Sequence, residues 1–186
     1  SFDDCFIIKP ESPFSVFEQY EEEIVRGNFG FAVAKRTAKT WKDLASIPDD
    51  IFVIAMVRHP FDVMTSYLKG SKNPDAFYIP PERWVNETRA LLALEKRRDG
   101  KNMMFVRYED LVSDPDSVQR KISDMTGISV STLFSEARKI STSSVEKFRS
   151  NPEFAEYCRG IKEELKDDLL PFCDRFEYGC DIEEAA

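Results

Sequence analysis

An arginine, a proline and a serine mark the stretch Ile51–Gly70 as a candidate anion site. Arg58 follows the mostly apolar run Ile51–Val57, and Pro60 stands two residues later, where proline is well suited to open a helix. Ser66 lies eight residues after Arg58, further along the same predicted helix. The start of a helix offers free N–H groups and the positive end of the helix dipole, so a phosphate suits this corner. An ordinary strand and helix with a surface arginine explains the same residues equally well.

The elements that position this corner alternate between strands and helices. Ile51–Val57 shows no polar alternation, which predicts a fully buried strand. Strands that alternate with helices indicate an α/β fold with a central parallel sheet of about four to five strands flanked by helices. A chain of 186 residues suffices for one domain with a single core. The pattern predicts further strands over Cys5–Lys9, Phe29–Ala34 and Asn102–Val106, and helices over Pro81–Arg98, from Asp114-Pro115 to Gly127, over Ser131–Ile140 and over Pro152–Phe172.

Charge and composition exclude several classes of function. The 34 acidic residues exceed the 26 basic ones and give a net charge of −8, which argues against nucleic-acid binding. One histidine and four cysteines without a CxxC pair predict no metal site. No apolar run reaches the roughly 20 residues that span a bilayer, so no transmembrane segment is predicted. Cys158, Cys173 and Cys180 cluster near the end of the chain, and the sequence leaves their pairing open.

A second block, Phe105–Pro115, gives the first one a family context. It reads FVRYEDLVSDP and leads from an apolar run through Tyr108 into a predicted helix. With the Arg58 corner it makes the chain resemble the sulfotransferases that use 3′-phosphoadenosine 5′-phosphosulfate (PAPS). In that family an arginine at a strand end and a serine eight residues later hold the ribose 3′-phosphate, which is the role the resemblance implies for Arg58 and Ser66. The family's tyrosine lies against the adenine, a role that Tyr108 matches.

The resemblance implies further roles and a fold. Thr142, which precedes an Asn-Pro pair, matches a threonine that helps bind the nucleotide in cytosolic members. The implied fold is the P-loop-NTPase-like sulfotransferase fold, and the implied reaction is transfer of a sulfuryl group from PAPS to a hydroxyl or amine of a small molecule or glycan, without a metal. Lys35 stands in the slot of the lysine that assists the leaving group. Thr37 occupies the place of the family's catalytic histidine, so the base stays unassigned.

The N-terminus departs from the family's pattern. Members normally open with a strand, a loop similar to Lys-Ser-Gly-Thr-Thr and a helix, whose amides cradle the phosphosulfate. The one candidate here, Phe6–Phe17, contains Lys9 but no glycine, so its backbone cannot easily fold around a phosphate. A missing unit upstream of Ser1 is favoured over a degenerate loop at Lys9 and over an inactive homologue.

Several alternatives stay open at this stage. A nucleotide-binding or interaction module without activity fits the missing loop and base, and a P-loop kinase-like phosphotransferase fits less well because no Walker loop is visible. The loop Gly70–Pro81, with Phe77 and Tyr78, either flanks the acceptor or is an ordinary surface loop. Arg159 is favoured as an exposed helix charge over a second phosphate ligand. The compartment is predicted as cytoplasmic, or the Golgi lumen if an N-terminal anchor has been removed, and the oligomeric state is not predicted.

Overall fold

The structure, a computed structural model, falls into two compact units. One unit takes in the described parts of Ser1–Ala55, Ala90–Val106 and Asp110–Ile140, and the other those of Met56–Arg89, Arg107–Glu109 and Ser141–Ala186. That the whole chain forms one domain stays a prediction. The described residues are 5–8, 26, 31–34, 44–66, 79–137, 142–143, 145–149 and 152–180.

Two short strands near the N-terminus form a parallel pair. Strand β1 (Cys5–Ile8) lies beside β2 (Phe31–Ala34), with Cys5 opposite Phe31 and the register kept to the last residue of each strand. Parallel neighbours cannot be joined by a tight hairpin and need a crossover connection. This pair therefore agrees with the predicted α/β fold.

A second pair of strands carries the corner singled out in the sequence. Strand β3 (Val53–Val57) pairs with β4 (Met103–Arg107). The Val53 amide donates to the carbonyl of Asn102, 2.9 Å away, so the starts of both strands lie side by side and the strands run in the same direction. The carboxyl ends of parallel neighbours meet at one edge of a sheet, which is where ligands bind in open α/β folds.

The prediction of a fully buried β3 was wrong for one of its faces. Ala55 and Val57 are buried, whereas Ile54 is 43% and Met56 53% exposed. Successive strand side chains point to opposite faces, so apolar composition alone cannot tell whether both faces are covered. The covered face contributes Ala55 to the core of the first unit, together with Ile47, Leu94 and Met103.

Helices account for most of the rest of the described chain. The longest, α2, runs over the residues predicted for it, and the C-terminal helix is divided at Leu165 where one continuous helix was predicted. No helix in the described part of the chain has the length and apolarity to cross a membrane. The helices are α1 (Pro60–Met64), α2 (Pro81–Arg98), α3 (Tyr108–Ser113), α4 (Pro115–Thr126), α5 (Phe134–Ala137), α6 (Pro152–Glu164) and α7 (Lys166–Arg175), with a short 3₁₀ helix at Lys147–Arg149.

Helix α4 shows how local sequence signals set its ends. The Asp114 carboxylate accepts the Ser117 amide at 3.1 Å and so caps the first turn. Gly127 ends the helix with a φ of 74°, a conformation that glycine adopts without strain. Val118 and Ile122 are buried as predicted, whereas Met125, predicted to face inward, is 54% exposed. The predicted cap and stop are both confirmed.

A disulfide closes the C-terminal tail of the second unit. Cys173 on α7 is bonded to Cys180, while Cys158 on α6 is a buried free thiol whose pKa is raised to about 12 by burial. The short loop between the bonded cysteines contains Tyr178 and Gly179. Both residues contact the corner after β3, so this tail belongs to the surroundings of the candidate site.

Candidate functional site

The structure brings Arg58 and Tyr108 into direct contact. Arg58 directly follows β3, and Tyr108 is the first residue of α3, directly after β4. The Arg58 guanidinium carbon lies 4.7 Å from the centre of the Tyr108 ring, within the range of a cation–π contact. The two sequence blocks that carry the family resemblance therefore meet at the carboxyl ends of two paired strands.

Asp62 lies between the two residues predicted to hold the phosphate. Its carboxylate Oδ2 is 3.6 Å from Arg58 Nη2, and its backbone carbonyl accepts the Ser66 hydroxyl at 2.6 Å. Helix α1 ends at Met64, so Ser66 lies just beyond the helix rather than within it. Ser66 already donates its hydroxyl proton, and a bound phosphate would compete with that carbonyl for it.

The backbone amides at the start of α1, which the sequence predicted to be free to bind a phosphate, have partners within the protein. The His59 amide donates to Glu109 Oε1 at 2.9 Å, and the Phe61 amide donates to His59 Nδ1 at 3.3 Å. Pro60 has no amide proton to offer. The expected free N–H groups are therefore engaged at both His59 and Phe61, and anion binding here would depend on side chains.

His59 caps the helix and packs inside the fold. Its ring is 3% exposed and lies within 5.5 Å of three aromatic rings, those of Phe61, Phe148 and Tyr178. Nδ1 accepts the Phe61 amide, so the ring proton is assigned to Nε2, which donates to the Gly179 carbonyl at 3.0 Å. Burial lowers the pKa of His59 below its ordinary value. This ring is therefore neutral near pH 7 and serves the structure.

Glu109 joins the corner to the C-terminal tail. One carboxylate oxygen accepts the His59 amide and the other accepts the Tyr178 hydroxyl at 2.8 Å. Burial and this carboxylate raise the pKa of Tyr178, which keeps the phenol protonated. Sequence reasoning missed the role of Glu109, because its partners lie 50 and 69 residues away and no local pattern reports them.

Thr142 connects to the corner through the segment that follows it. Its own side chain is exposed, and its carbonyl accepts the Val145 amide at 2.9 Å. Four residues after Thr142, the Glu146 amide donates to Asp62 Oδ2 at 2.7 Å, and Lys147 Nζ donates to the Thr65 carbonyl at 2.9 Å. This segment is therefore anchored on α1 and the residue after it.

Other predicted residues lie outside the site or outside the described residues. Arg159 is exposed on α6, in agreement with the favoured interpretation as a helix charge. Within the described ranges, no group of three His, Cys, Asp or Glu side chains could hold a metal ion. The predicted positions outside the described residues are Lys35, Thr37, the Lys9 loop and the loop residues Phe77 and Tyr78.

Comparisons with known proteins agree with the resemblance found in the sequence. A family model described as the sulfotransferase family matches residues 17–132, which is more than half of the chain. Among solved structures, a sulfotransferase domain from the curacin biosynthetic pathway shares the fold, with a TM-score of 0.54 and 16% identity over 89% of this chain and 68% of that one. A comparison with curated protein sequences gave no match. The chain, an α/β protein with a parallel sheet flanked by helices, therefore belongs to the sulfotransferase family.

Proposed function

We propose that the protein transfers a sulfuryl group from PAPS to a hydroxyl or amine of a small molecule or glycan. Family membership supports the class of reaction, and the Arg58 corner supports the choice of donor. Arg58 and Ser66 hold the 3′-phosphate in this proposal, Tyr108 and Thr142 contact the nucleoside, and Lys35 stabilises the leaving phosphate.

The contact between Arg58 and Tyr108 carries the proposal. A guanidinium presents its N–H groups as a planar fork that matches a phosphate, and the Arg58 guanidinium carbon lies 4.7 Å from the centre of the Tyr108 ring. The tyrosine ring supplies the kind of apolar surface and polar tip that a nucleobase uses. The pair therefore supports a ligand that carries both a phosphate and a base, as a nucleotide 3′-phosphate does.

Local charge also favours a multiply charged anion at this corner. The chain as a whole carries a net charge of −8, so an anionic donor needs a concentrated positive region. Lys147 has its pKa lowered by burial and by the neighbouring charge of Arg58, which means that the two cations lie within electrostatic reach of each other. Arg58 and Lys147 are the two cations that would provide such a region.

The proposed reaction makes specific demands on the chain. The acceptor oxygen or nitrogen attacks sulfur, the bond from sulfur to the 5′-phosphate oxygen breaks, and the electron pair leaves with 3′-phosphoadenosine 5′-phosphate. Lys35 balances the charge that develops on that oxygen, and a base takes the acceptor proton. His59 is not this base, because its two ring nitrogens are engaged by Phe61 and Gly179 inside the fold.

Calorimetric titration with 3′-phosphoadenosine 5′-phosphate tests the binding part of the proposal. Arg58→Met keeps an apolar stem against the tyrosine ring but removes the charge, and we expect it to weaken binding about 10- to 100-fold, the range of a lost charge-assisted hydrogen bond. Ser66→Ala should weaken it about fivefold. Arg89→Ala, which removes an exposed ion pair with Asp168, is the control and should bind as the wild type does. Unchanged binding by Arg58→Met would refute the site.

Transfer from labelled PAPS to a panel of alcohols, phenols, amines and glycans tests the catalytic part. Appearance of the sulfated product, at a rate that falls in Lys35→Ala, would support the proposal. Tight binding of the bisphosphate without transfer to any acceptor would favour a module without activity. Tighter binding of ATP than of the bisphosphate would favour a phosphotransferase.

A further inference from the structure

We propose that Asp62 is a positioning residue for the 3′-phosphate, holding Arg58 and the segment Val145–Arg149 at one anion site. This inference rests on the proposed function and adds to it a residue whose negative charge helps to bind an anion. Three observations carry it: the burial of the carboxylate, its contacts on both sides and the backbone conformation of its partner segment.

The Asp62 side chain has no solvent exposure in the structure. A buried carboxylate is costly unless it is paired, and burial raises the pKa of Asp62 while Arg58 and the Glu146 amide oppose that rise. Arg58 and the Glu146 amide are therefore contacts that favour the charged form of Asp62. An aspartate is seldom buried this completely unless it is paired.

Asp62 contacts both predicted phosphate ligands and the segment after Thr142. Its carboxylate faces Arg58, its carbonyl accepts the Ser66 hydroxyl, and Oδ2 also accepts the Glu146 amide at 2.7 Å. One side chain and its own carbonyl thus join three parts of the proposed site.

The partner segment has a backbone conformation that needs support. Glu146 has a φ of 53°, in the left-handed region that a residue with a side chain seldom adopts. The hydrogen bond from the Glu146 amide to Asp62 and the hydrogen bond from Lys147 Nζ to the Thr65 carbonyl hold the segment in place. Without the carboxylate, the segment is expected to relax and to carry Lys147 away from Arg58.

The charge of Asp62 also explains how two cations can lie close together. Arg58 lowers the pKa of Lys147, whereas Asp62 raises it, so the carboxylate offsets the repulsion between the cations. Both cations are then arranged before an anion arrives, which reduces the cost of ordering them on binding. A carboxylate that only neutralised Arg58 would instead repel a phosphate, and its removal would tighten binding.

Titrations of wild type and Asp62→Asn with 3′-phosphoadenosine 5′-phosphate and with adenosine 5′-phosphate separate these possibilities. The ratio of the two affinities isolates the 3′-phosphate. We expect Asp62→Asn to reduce this preference about 10-fold while the affinity for the monophosphate changes less than about twofold. An unchanged preference, a tighter bisphosphate or an equal loss for both nucleotides would overturn the positioning role, the last because it would indicate a general structural defect.

Hydrogen exchange on the wild-type protein provides a second test that does not depend on folding of the variant. The bisphosphate should slow exchange of the amides of residues 145–149 at least threefold more than the monophosphate does, and equal protection by both would overturn the inference. Failure of the proposed function looks different, because the wild type itself would then show no preference for the bisphosphate. A wild-type preference that Asp62→Asn retains would overturn this inference alone.

Discussion

Two arginines with little exposed surface, Arg58 and Arg98, illustrate how one residue type serves two purposes. Arg58 belongs to the second unit and directly follows β3, and Arg98 belongs to the first unit and is the last residue of α2. Their side chains are 20% and 1% exposed, so both are largely buried, although to different degrees. The groups that face each guanidinium also differ.

Arg98 is committed to the backbone of its own unit. Its Nη1 donates to two carbonyls at 2.7 and 3.0 Å, and its Nη2 donates to two more. Backbone carbonyls cannot move away without unfolding the loop that they belong to, so this guanidinium acts as a fixed anchor. The four acceptors are the carbonyls of Ile51, Asn102, Ile47 and Pro48.

Arg58 faces an aromatic ring and the buried carboxylate of Asp62, whereas the carboxylate near Arg98, that of Asp49 at 3.7 Å, is 73% exposed. The centre of the Tyr108 ring lies 4.7 Å from the guanidinium carbon, and Asp62 Oδ2 lies 3.6 Å from Nη2, longer than a direct hydrogen bond. A carboxylate and a phosphate present similar oxygen pairs to an arginine fork. The comparison therefore teaches that four backbone carbonyl acceptors, together with nearly complete burial, separate a structural arginine from a candidate binding arginine.

Replacement of each arginine by lysine tests the comparison, and the largest expected effect is a loss of stability in Arg98→Lys. Arg98→Lys keeps the charge but removes the planar fork, so one ammonium group cannot replace the four contacts that the guanidinium makes with backbone carbonyls. We expect the free energy of unfolding to fall by about 2–3 kcal/mol, measured by urea denaturation. Arg97→Lys, at a more exposed neighbouring arginine, should cost about 1 kcal/mol or less. A loss below about 1 kcal/mol at Arg98 would remove the distinction between the two arginines.

The same replacement at Arg58 should affect binding and spare stability. Arg58→Lys keeps a cation near Asp62 but loses the stacked plane and the fork, so we expect about 10-fold weaker binding of 3′-phosphoadenosine 5′-phosphate. The free energy of unfolding should change by less than about 1 kcal/mol. Calorimetry measures the affinity, and urea denaturation of the same preparation measures the free energy of unfolding. Large loss of stability with unchanged affinity would make Arg58 a second structural arginine.

The hydrogen bonds of Glu109 with Tyr178 and His59 should make a smaller contribution to stability. Tyr178→Phe removes the hydroxyl that donates to Glu109, while the carboxylate keeps the His59 amide as a donor. We expect the free energy of unfolding to fall by about 1 kcal/mol, the typical value of one hydrogen bond. The variant keeps the aromatic ring at position 178, which stacks 6.0 Å from the Phe172 ring, so the substitution removes the hydroxyl without removing this contact. No change in the midpoint of urea unfolding would indicate that this network is not what holds the corner.

The pH dependence of stability at His59 is the smallest expected effect. The unfolded chain takes up a proton near the ordinary imidazole pKa of 6.5, whereas burial lowers the pKa of His59 in the fold. The contribution of neutral His59 to the free energy of unfolding is therefore fully present above about pH 6.5. It is lost as the pH falls toward the pKa of His59 in the folded protein. Asp62 titrates in the opposite sense, since burial raises its pKa, so the quantity to measure is the difference between wild type and His59→Asn.

His59→Asn is a suitable reference for that measurement, because asparagine also caps helices. The difference in unfolding free energy between the two proteins should shrink as pH is lowered from about 8 to about 5.5. A difference that stays constant over this range would mean that His59 keeps its ordinary pKa in the fold.

Local signals in the sequence predicted the elements best. Helix α2 begins at Pro81 and ends at Arg98 as predicted, and Asp114 and Gly127 bound α4 because a cap and a left-handed glycine act within a few residues. The candidate site was predicted in part: Arg58 and Tyr108 meet because each ends one of two paired strands.

The remaining features depend on contacts that no local pattern encodes. Exposure of Ile54 and Met56 depends on what covers each face of β3, and an evenly apolar run carries no information about that. The engaged amide of His59 depends on Glu109, 50 residues away. Asp62 could have been found, since it lies four residues after Arg58 and could pair with it on a helix.

The most direct test of the account is the ratio of two affinities in the wild-type protein. Titration with 3′-phosphoadenosine 5′-phosphate and with adenosine 5′-phosphate measures what the 3′-phosphate adds. The Arg58 corner predicts at least about 10-fold tighter binding of the bisphosphate, and loss of that preference in Arg58→Met. Equal affinity for the two nucleotides would contradict the assignment of this corner to a 3′-phosphate.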